Sequence, residues 1–409
     1  MMEFPGEFSI TFVKKQPCRY GENPQQDAVI YETSLIKGLE MVLDKTLMSA
    51  KQYQGKEMSF NNFLDADANI KLIREFEGKK ACSITKHANP SGAAIREKPL
   101  DAFKAAWSCD SLSSFGGIVC LNSEIDGAIA AEIIAGKFVE AVLAPGYTSE
   151  ALESFKKKTD LRILELNTSR PEHVEYDFRF ITGGVLVQEF DRTELTKEML
   201  TYPNDLVPDL GFEIDKPTDS QIDDMLFGWK VNRNTKSNTV LLVKDMTTIG
   251  IGAGQQNRVD AGFIACYRGN KPYAKLTNQN REIDDLSKLL DANKTQEVIS
   301  ALPAHLAEYV TQILNKVTDL NELHNLAQIV GLQAKGRSEG SVAVSSAFYP
   351  FPDTINVLHA CGVVASMSPS GSIRDKLSYE AMHKHKIAAV HTPIVKKGGY
   401  EGGMRAFKH

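Results

Sequence analysis

Two uninterrupted apolar runs, KACSIT at 80–85 and NTVLLVK at 238–244, constrain this chain most. Short apolar runs bounded by turn formers read as strands buried on both faces, and such strands need helices to cover them. The segments between them have helical periodicity. In SQIDDMLFGWKV (220–231), Ile222, Met225, Leu226 and Trp229 fall on one face, and Ser220 with Asp223 is expected to form a capping box. IDGAIAAEIIAGKFVEAVLAPG (125–146) reads as a helix ending at Gly136, then a strand ending at Pro145. This alternation predicts an α/β fold. Each apolar run ends on a lysine, Lys86 or Lys244, and is followed by a Gly turn. A Ser-Ser aromatic turn comes next, SSFGG in one half and SSAFYPF in the other, then a helix and an apolar stretch. The echo points to a duplicated α/β half. Residues 191–220, rich in Asp, Thr and Pro and without periodicity, are the expected linker, dividing the chain into domains 1–205 and 206–409.

A length of 409 residues fits two such halves. The net charge of -5 offers no basic field for nucleic acid or an anionic membrane, although a few arginines can still bind a small anion. Six cysteines (Cys18, Cys82, Cys109, Cys120, Cys266 and Cys361) are scattered without a C-x-x-C, the pattern of reduced thiols rather than a disulfide framework. MMEFPGEFSITFVKKQP lacks the basic-then-apolar order of a signal peptide, and no run of eighteen apolar residues occurs. A cytoplasmic protein is expected.

Several stretches carry chemistry. GIGAGQQNR (250–258) fails the G-x-G-x-x-G spacing at Gln255, so its glycines read as a tight turn or a close approach to a ligand. The paired zinc-deaminase signature and H-E-x-x-H are absent, and no metal ligands are expected. Acid–base or electrostatic catalysis remains. In SITKHANPSGAA (83–94), Lys86 and His87 stand where a buried strand meets a turn. Two readings stand: solvated residues at a strand end, or a cation and a proton-transfer group at the crevice where α/β proteins bind ligands. RYGENPQQ (19–26) is either a surface turn with an Arg–Tyr packing pair or an anion-binding loop. FYPFPD (348–353) is either an aromatic core corner or a rigid wall for a heteroaromatic ring. MRAFKH would ordinarily be a frayed tail.

In order, RYGENPQQ, SFNN (59–62), TKHANPSGAA, SSFGG, APGY, TKSNTVLL, GIGAGQQNR, AFYPFPD, PSGSIRDK and MRAFKH together resemble the AICAR transformylase family over residues 19–409. The resemblance implies transfer of the formyl group of 10-formyltetrahydrofolate to the 5-amino group of AICAR, giving FAICAR in de novo purine (IMP) biosynthesis. It implies two cytidine-deaminase-like three-layer α/β subdomains in tandem without the zinc. It also implies a homodimer with active sites built across the interface. Most members carry a preceding IMP cyclohydrolase domain, and a free-standing transformylase is expected here. No tightly bound cofactor is implied: 10-formyltetrahydrofolate is a co-substrate, and a bound monovalent cation is allowed.

Carried over residue by residue, the resemblance makes His87 the general base and Lys86 the cation at the formyl oxygen or leaving nitrogen. Asn238 falls near the reacting groups. Arg19, Tyr20, Gly116, Glu140, Phe348, Arg405 and Phe407 correspond to contacts with the ribotide. Phe115, Val259, Pro350, Phe351, Asp353 and Ser372 fall where the folate is held. Glu140 stands where members often have aspartate, and TPIVKKGGYEGG (392–403) is longer and richer in glycine than the family pattern. Two other readings were weighed: a hydrolase on the same scaffold, and a protein that binds purine intermediates without turnover.

Overall fold

The computed structural model describes residues 4–37, 45–171, 176–191, 193–270 and 337–408. It divides into two compact units. The first comprises Met1–Asn89, Ile95–Lys104 and Ser113–Glu194, and the second Pro90–Ala94, Ala105–Leu112 and Leu195–His409. The division therefore falls between Glu194 and Leu195 rather than at 205/206, and two short stretches from the N-terminal half join the second unit.

The first unit opens with an antiparallel ribbon, β1 (Ser9–Pro17) and β2 (Val29–Lys37). There follow β3 (Lys51–Gln54), α1 (Phe60–Ile73) and β4 (Ala81–Lys86). β4 turns through His87–Ala88 into β5 (Asn89–Ile95), and α2 (Pro99–Cys109) and α3 (Ser111–Ser114) come next. The unit continues through β6 (Ile118–Leu121), α4 (Gly127–Ile134), β7 (Ala141–Ala144), α5 (Ser149–Phe155) and β8 (Arg162–Glu165). A second ribbon follows, β9 (Tyr176–Ile181) with β10 (Gly184–Glu189). The sheet order is β4-β6-β7-β8-β3. β6, β7 and β8 run parallel, with β4 antiparallel to β6 and β3 antiparallel to β8. The SFNN motif is the start of α1: Ser59 and Asn62 form a capping box. Farther along α1, buried Asn69 donates to the carbonyls of Ser83 (3.3 Å) and Ile118 (2.7 Å), locking the helix to β4 and β6.

The second unit contains α6 (Pro203–Leu206), α7 (Asp219–Asn232), β11 (Val240–Lys244), β12 (Thr247–Gly252) and α8 (Arg258–Asn270). After the undescribed stretch come β13 (Val342–Ser345), α9 (Asp353–Ala360), β14 (Ala365–Ser368), α10 (Asp375–His385) and β15 (Ala388–His391). A hairpin, β16 (Ile394–Lys397) and β17 (Tyr400–Gly403), closes the unit. The sheet order is β15-β14-β13-β11-β12-β5, with β13, β14 and β15 parallel. Each half of the chain thus runs through a helix, a strand, a two-residue turn, a strand and a helix, then parallel strands joined by helices.

Strand alternation shows why β11 is apolar throughout. Leu241 and Val243 meet Gly228 of α7 on one face. Val240 and Leu242 join Ala261, Ala265, Ile355, Leu358, Tyr379 and Met382 on the other. α7 begins at Thr218, whose side chain pairs reciprocally with Gln221, so the capping box lies two residues before the expected Ser220. The threonine wins because its hydroxyl, not that of Ser220, precedes the first helical N–H groups. The expected linker is built into the core from Leu195 onward. Leu195, Leu200, Leu210 and Ile214 are buried, and Thr201 exchanges backbone hydrogen bonds with His391. Its apolar residues follow no period because the segment is mostly irregular. Of the glycines in this run, Gly254 is left-handed (φ 68) just after β12, as expected of a turn, whereas Gly250 and Gly252 lie within β12. A Cβ at either would strike a backbone carbonyl of α8, that of Ala265 or Ala261, so the glycines serve helix–strand contact.

Candidate active site

In the first unit, β4 is buried as far as Thr85 and emerges at Lys86. Lys86 Nζ donates to the Phe115 carbonyl at 2.6 Å. An ammonium has three N–H groups, so donors remain for a substrate oxygen. Gly116 is left-handed (φ 75), and its N–H donates to Phe138 O at 2.8 Å. A Cβ at Gly116 would stand 3.6 Å from both Lys86 Nζ and the Phe138 ring, so glycine keeps the ammonium approachable. Phe115, half exposed, lies 5.2 Å from Phe138 between ring centroids.

His87 and Ala88 are both left-handed, at φ 53 and 55. For non-glycine residues this costs about 1–2 kcal/mol each. Asp65, from α1, offsets it: its carboxylate accepts the Ala88 N–H at 2.6 Å, with the backbone N–H of His87 also nearby. Burial raises the Asp65 carboxyl above its ordinary range, while these N–H groups and the charges of His87 and Lys86 pull it back. The resulting turn leaves the His87 side chain exposed beside Lys86.

Glu140 is one strand away, its N–H on the Gly117 carbonyl at 3.0 Å. Its carboxylate accepts from buried Arg162 at 2.8 Å. Arg19 and Tyr20 occupy a loop closed on itself by Gly21 N–H to Gln26 O (2.7 Å), the Arg19 guanidinium lying 5.1 Å from the Tyr20 ring centre. That loop has the packing pair of the simpler reading, and the exposed Arg19 is still open to an anion.

The second unit carries a separate cluster around Asn238, whose peptide bond with Ser237 is cis. The Asn238 Oδ1 accepts from Arg258 Nη2 at 2.7 Å and its Nδ2 donates to Gln256 O at 3.1 Å, which fixes the amide orientation. Arg258 also donates to Thr239 O and Ser346 Oγ, both at 2.8 Å. Among the described residues no carboxylate pairs with Arg258, and its buried Nε has no hydrogen-bond partner. Burial, reinforced by the nearby Arg405 charge, depresses its guanidinium to about 10, although the Tyr349 hydroxyl counteracts part of this. Arg405 sits among the rings of Tyr400, Phe348 and Phe407, at 4.9, 5.2 and 5.5 Å. Two uncompensated guanidiniums beside exposed aromatic faces suit a planar, anionic ligand.

The tail is tied down rather than frayed. The β16–β17 hairpin returns it, Ala406 N donates to Ser346 O (3.1 Å), and Lys408 and Ser237 bond reciprocally. Terminal His409 lies outside the described residues.

A further group surrounds Phe351, half exposed, with the Arg374 guanidinium 4.7 Å from its ring centre. Asp375 accepts the N–H groups of Gly371 (2.8 Å) and Ser372 (3.2 Å), closing the PSGSIRDK loop. Asp353 begins α9 just after Pro350 and Phe351, and Val259 is half-buried in the first turn of α8. Sequence reasoning saw Arg258 only as part of a Gln-Gln-Asn-Arg cluster that suggests a polar site, and missed Arg374. It also read the G-x-S-x-G elbow as absent, whereas GRSEG (336–340) is such a string. Ser338 there is buried and donates to Cys361 O at 2.5 Å, so it is no exposed nucleophile. Among the described residues, no group of three His, Cys, Asp or Glu side chains could hold a metal ion, and no helix is long and apolar enough to cross a membrane.

These units define an α/β protein with a Lys–His pair at a left-handed turn in one and two guanidiniums near aromatic rings in the other. Residues 1–268 match the family model described as AICARFT/IMPCHase bienzyme. The chain is 34% identical over 409 residues to the bifunctional purine biosynthesis protein PurH of Persephonella marina, covering 100% of this chain and 62% of that one. It is 34% identical over 407 residues to the PurH of Xylella fastidiosa strain 9a5c (100% and 60%). With the Bacillus subtilis PurH it shares 32% identity over 406 residues (99% and 61%). This chain belongs to the AICARFT/IMPCHase bienzyme family. It spans about three-fifths of the length of these relatives.

Proposed function

We propose that the chain transfers the formyl group of 10-formyltetrahydrofolate to the 5-amino group of AICAR, giving FAICAR in purine biosynthesis. The observation that carries this reading is the Lys86–His87 pair, with one side chain exposed on a left-handed turn and the other held by the Phe115 carbonyl. The ribotide amine is a poor nucleophile, since its lone pair is delocalised into a ring bearing a carboxamide. Its nitrogen attacks the formyl carbon, a C–N bond forms, and the formyl oxygen becomes an oxyanion. His87 takes the amine proton. Lys86 stabilises the oxyanion with its remaining N–H groups; the oxyanion then collapses to the carbonyl as the C–N10 bond breaks, and N10 of the folate takes the proton held by His87.

Asn238 stands near the reacting groups with Lys86 and His87 in this reading, and Arg258, Phe348, Arg405 and Phe407 bind the ribotide, with Arg19, Tyr20, Gly116 and Glu140. Phe115, Val259, Pro350, Phe351, Asp353 and Ser372 bind the folate. We further propose that each unit is a cytidine-deaminase-like subdomain, which the repeated element order supports, and that the protein acts in the cytoplasm as a homodimer. No step of this mechanism calls for a bound monovalent cation.

The test is tetrahydrofolate release from 10-formyltetrahydrofolate, with and without AICAR. Wild type is expected to show AICAR-dependent release. His87→Ala is expected to lower kcat by about 10²–10⁴-fold, and Lys86→Ala to lower it as well, with native circular dichroism in both. Ribotide binding without release by wild type would sink the reading.

A further inference from the structure

The turn that carries His87 has a twin. In the second unit, β11 passes into β12 through Asp245 and Met246, both left-handed at φ 52. Asp224 of α7 accepts their two N–H groups, at 3.0 Å from Asp245 and 2.6 Å from Met246. The lysine before the turn repeats too. Lys244 Nζ donates to the Glu339 carbonyl at 2.9 Å, and the next residue, Gly340, is left-handed (φ 73), with a Cβ there 3.5 Å from that nitrogen. Asp65, Lys86, Phe115 and Gly116 therefore match Asp224, Lys244, Glu339 and Gly340.

The repeat separates scaffold from chemistry. A two-residue hairpin turn with both residues left-handed favours Asn-Gly or Gly-Gly, and neither unit uses glycine there. In both units an aspartate on the preceding helix holds the strained turn instead. The units differ in what the first turn position presents: an imidazole at His87 and a carboxylate at Asp245.

We propose that Asp65 is a positioning residue: its carboxylate holds the His87–Ala88 turn left-handed and so aims the imidazole at the reacting amine. The assignment rests on the proton-transfer role given to His87. Asp65 reaches the chemistry through the backbone, whereas Asp224 performs the same service for a turn without a catalytic group.

The test compares Asp65→Ala, Asp224→Ala and His87→Ala by steady-state kinetics, alongside urea unfolding. Asp65→Ala removes the acceptor of the Ala88 N–H and is expected to lower kcat about 10–100-fold with KM for either substrate within about two-fold. Asp224→Ala is expected to lower the urea midpoint and leave kcat of the folded protein unchanged. If Asp65→Ala folds poorly, Asp65→Ala/Ala88→Gly keeps the question open to measurement, because glycine adopts the left-handed turn unaided. Recovery of kcat to within about three-fold of wild type in the double variant supports a role exerted through the turn. Folded Asp65→Ala with wild-type kcat, while His87→Ala is inactive, overturns the assignment alone. Wild-type kcat in His87→Ala overturns the proton-transfer reading itself.

Discussion

At 2% exposure, His391 at the end of β15 has its Nδ1 2.9 Å from the Ser368 carbonyl. A carbonyl only accepts, so Nδ1 carries the proton and the buried Nε2 has none. Burial depresses this imidazole from 6.5 to about 4. The unfolded chain therefore binds the extra proton between those values, and stability falls as pH drops from about 6.5 to about 4. At 1.36 kcal/mol per unit the loss is about 3 kcal/mol. His391→Asn keeps an N–H for Ser368 and does not titrate. Urea midpoints between pH 4 and 7 are expected to show a shallower acid decline for it than for wild type. The same local chemistry governs Arg258, whose charge is uncompensated among the described carboxylates. Nothing in GIGAGQQNR by itself marks that arginine as buried, because its burial comes from Thr239 and Ser346 on other segments.

Elements meet most closely where β12 touches α8. Gly252→Ala would drive a methyl group into the Ala261 carbonyl, and backbone cannot swing aside as a side chain can. Overpacking of this kind costs about 1–3 kcal/mol. Gly6→Ala, with nothing within 4 Å, is expected to stay within about 0.5 kcal/mol of wild type. Equal urea midpoints for the two variants would refute the packing role of Gly252. The strands KACSIT and NTVLLVK and the helix over 220–231 were legible because their periodicity is local. The glycine-rich run was not, since a glycine that admits a helix and one that admits a ligand look alike until the partner is placed. The β16–β17 hairpin was opaque for a related reason: its use is to return the tail so that Ala406 meets Ser346 and Lys408 meets Ser237.

The whole molecule presents an exposed apolar ribbon. Phe180 is 77% exposed, and Ile181 and Leu186 are more than half exposed on β9–β10. Phe178 of this ribbon stacks near Phe8, and Tyr176 near Phe4. Phe180 lies on one face of the ribbon and Ile181 and Leu186 on the other, so apolar surface is exposed on both, which fits the proposed homodimer. Light scattering is expected to give twice the chain mass, and Phe180→Asp/Leu186→Asp to shift the species toward monomer. A dimer that survives the double change would remove this ribbon from the interface.

By itself the sequence determined the α/β class, the lysine-ended strands, the residues through which Lys86, His87 and Asn238 were singled out, and a duplicated pattern whose turns it mispaired: SSFGG corresponds to the Glu339–Gly340 turn before β13, not to SSAFYPF after it. All of these reside in short windows where period and residue type suffice. Only the tertiary structure decided that residues 90–94 belong to the second unit, that the supposed linker is core, and that Asp65 holds the turn beneath His87. Asp65 and Ala88 are far apart along the chain and carry no joint signature. Their pairing exists because α1 is locked to β4 through Asn69, and that contact forms only when the sheet does.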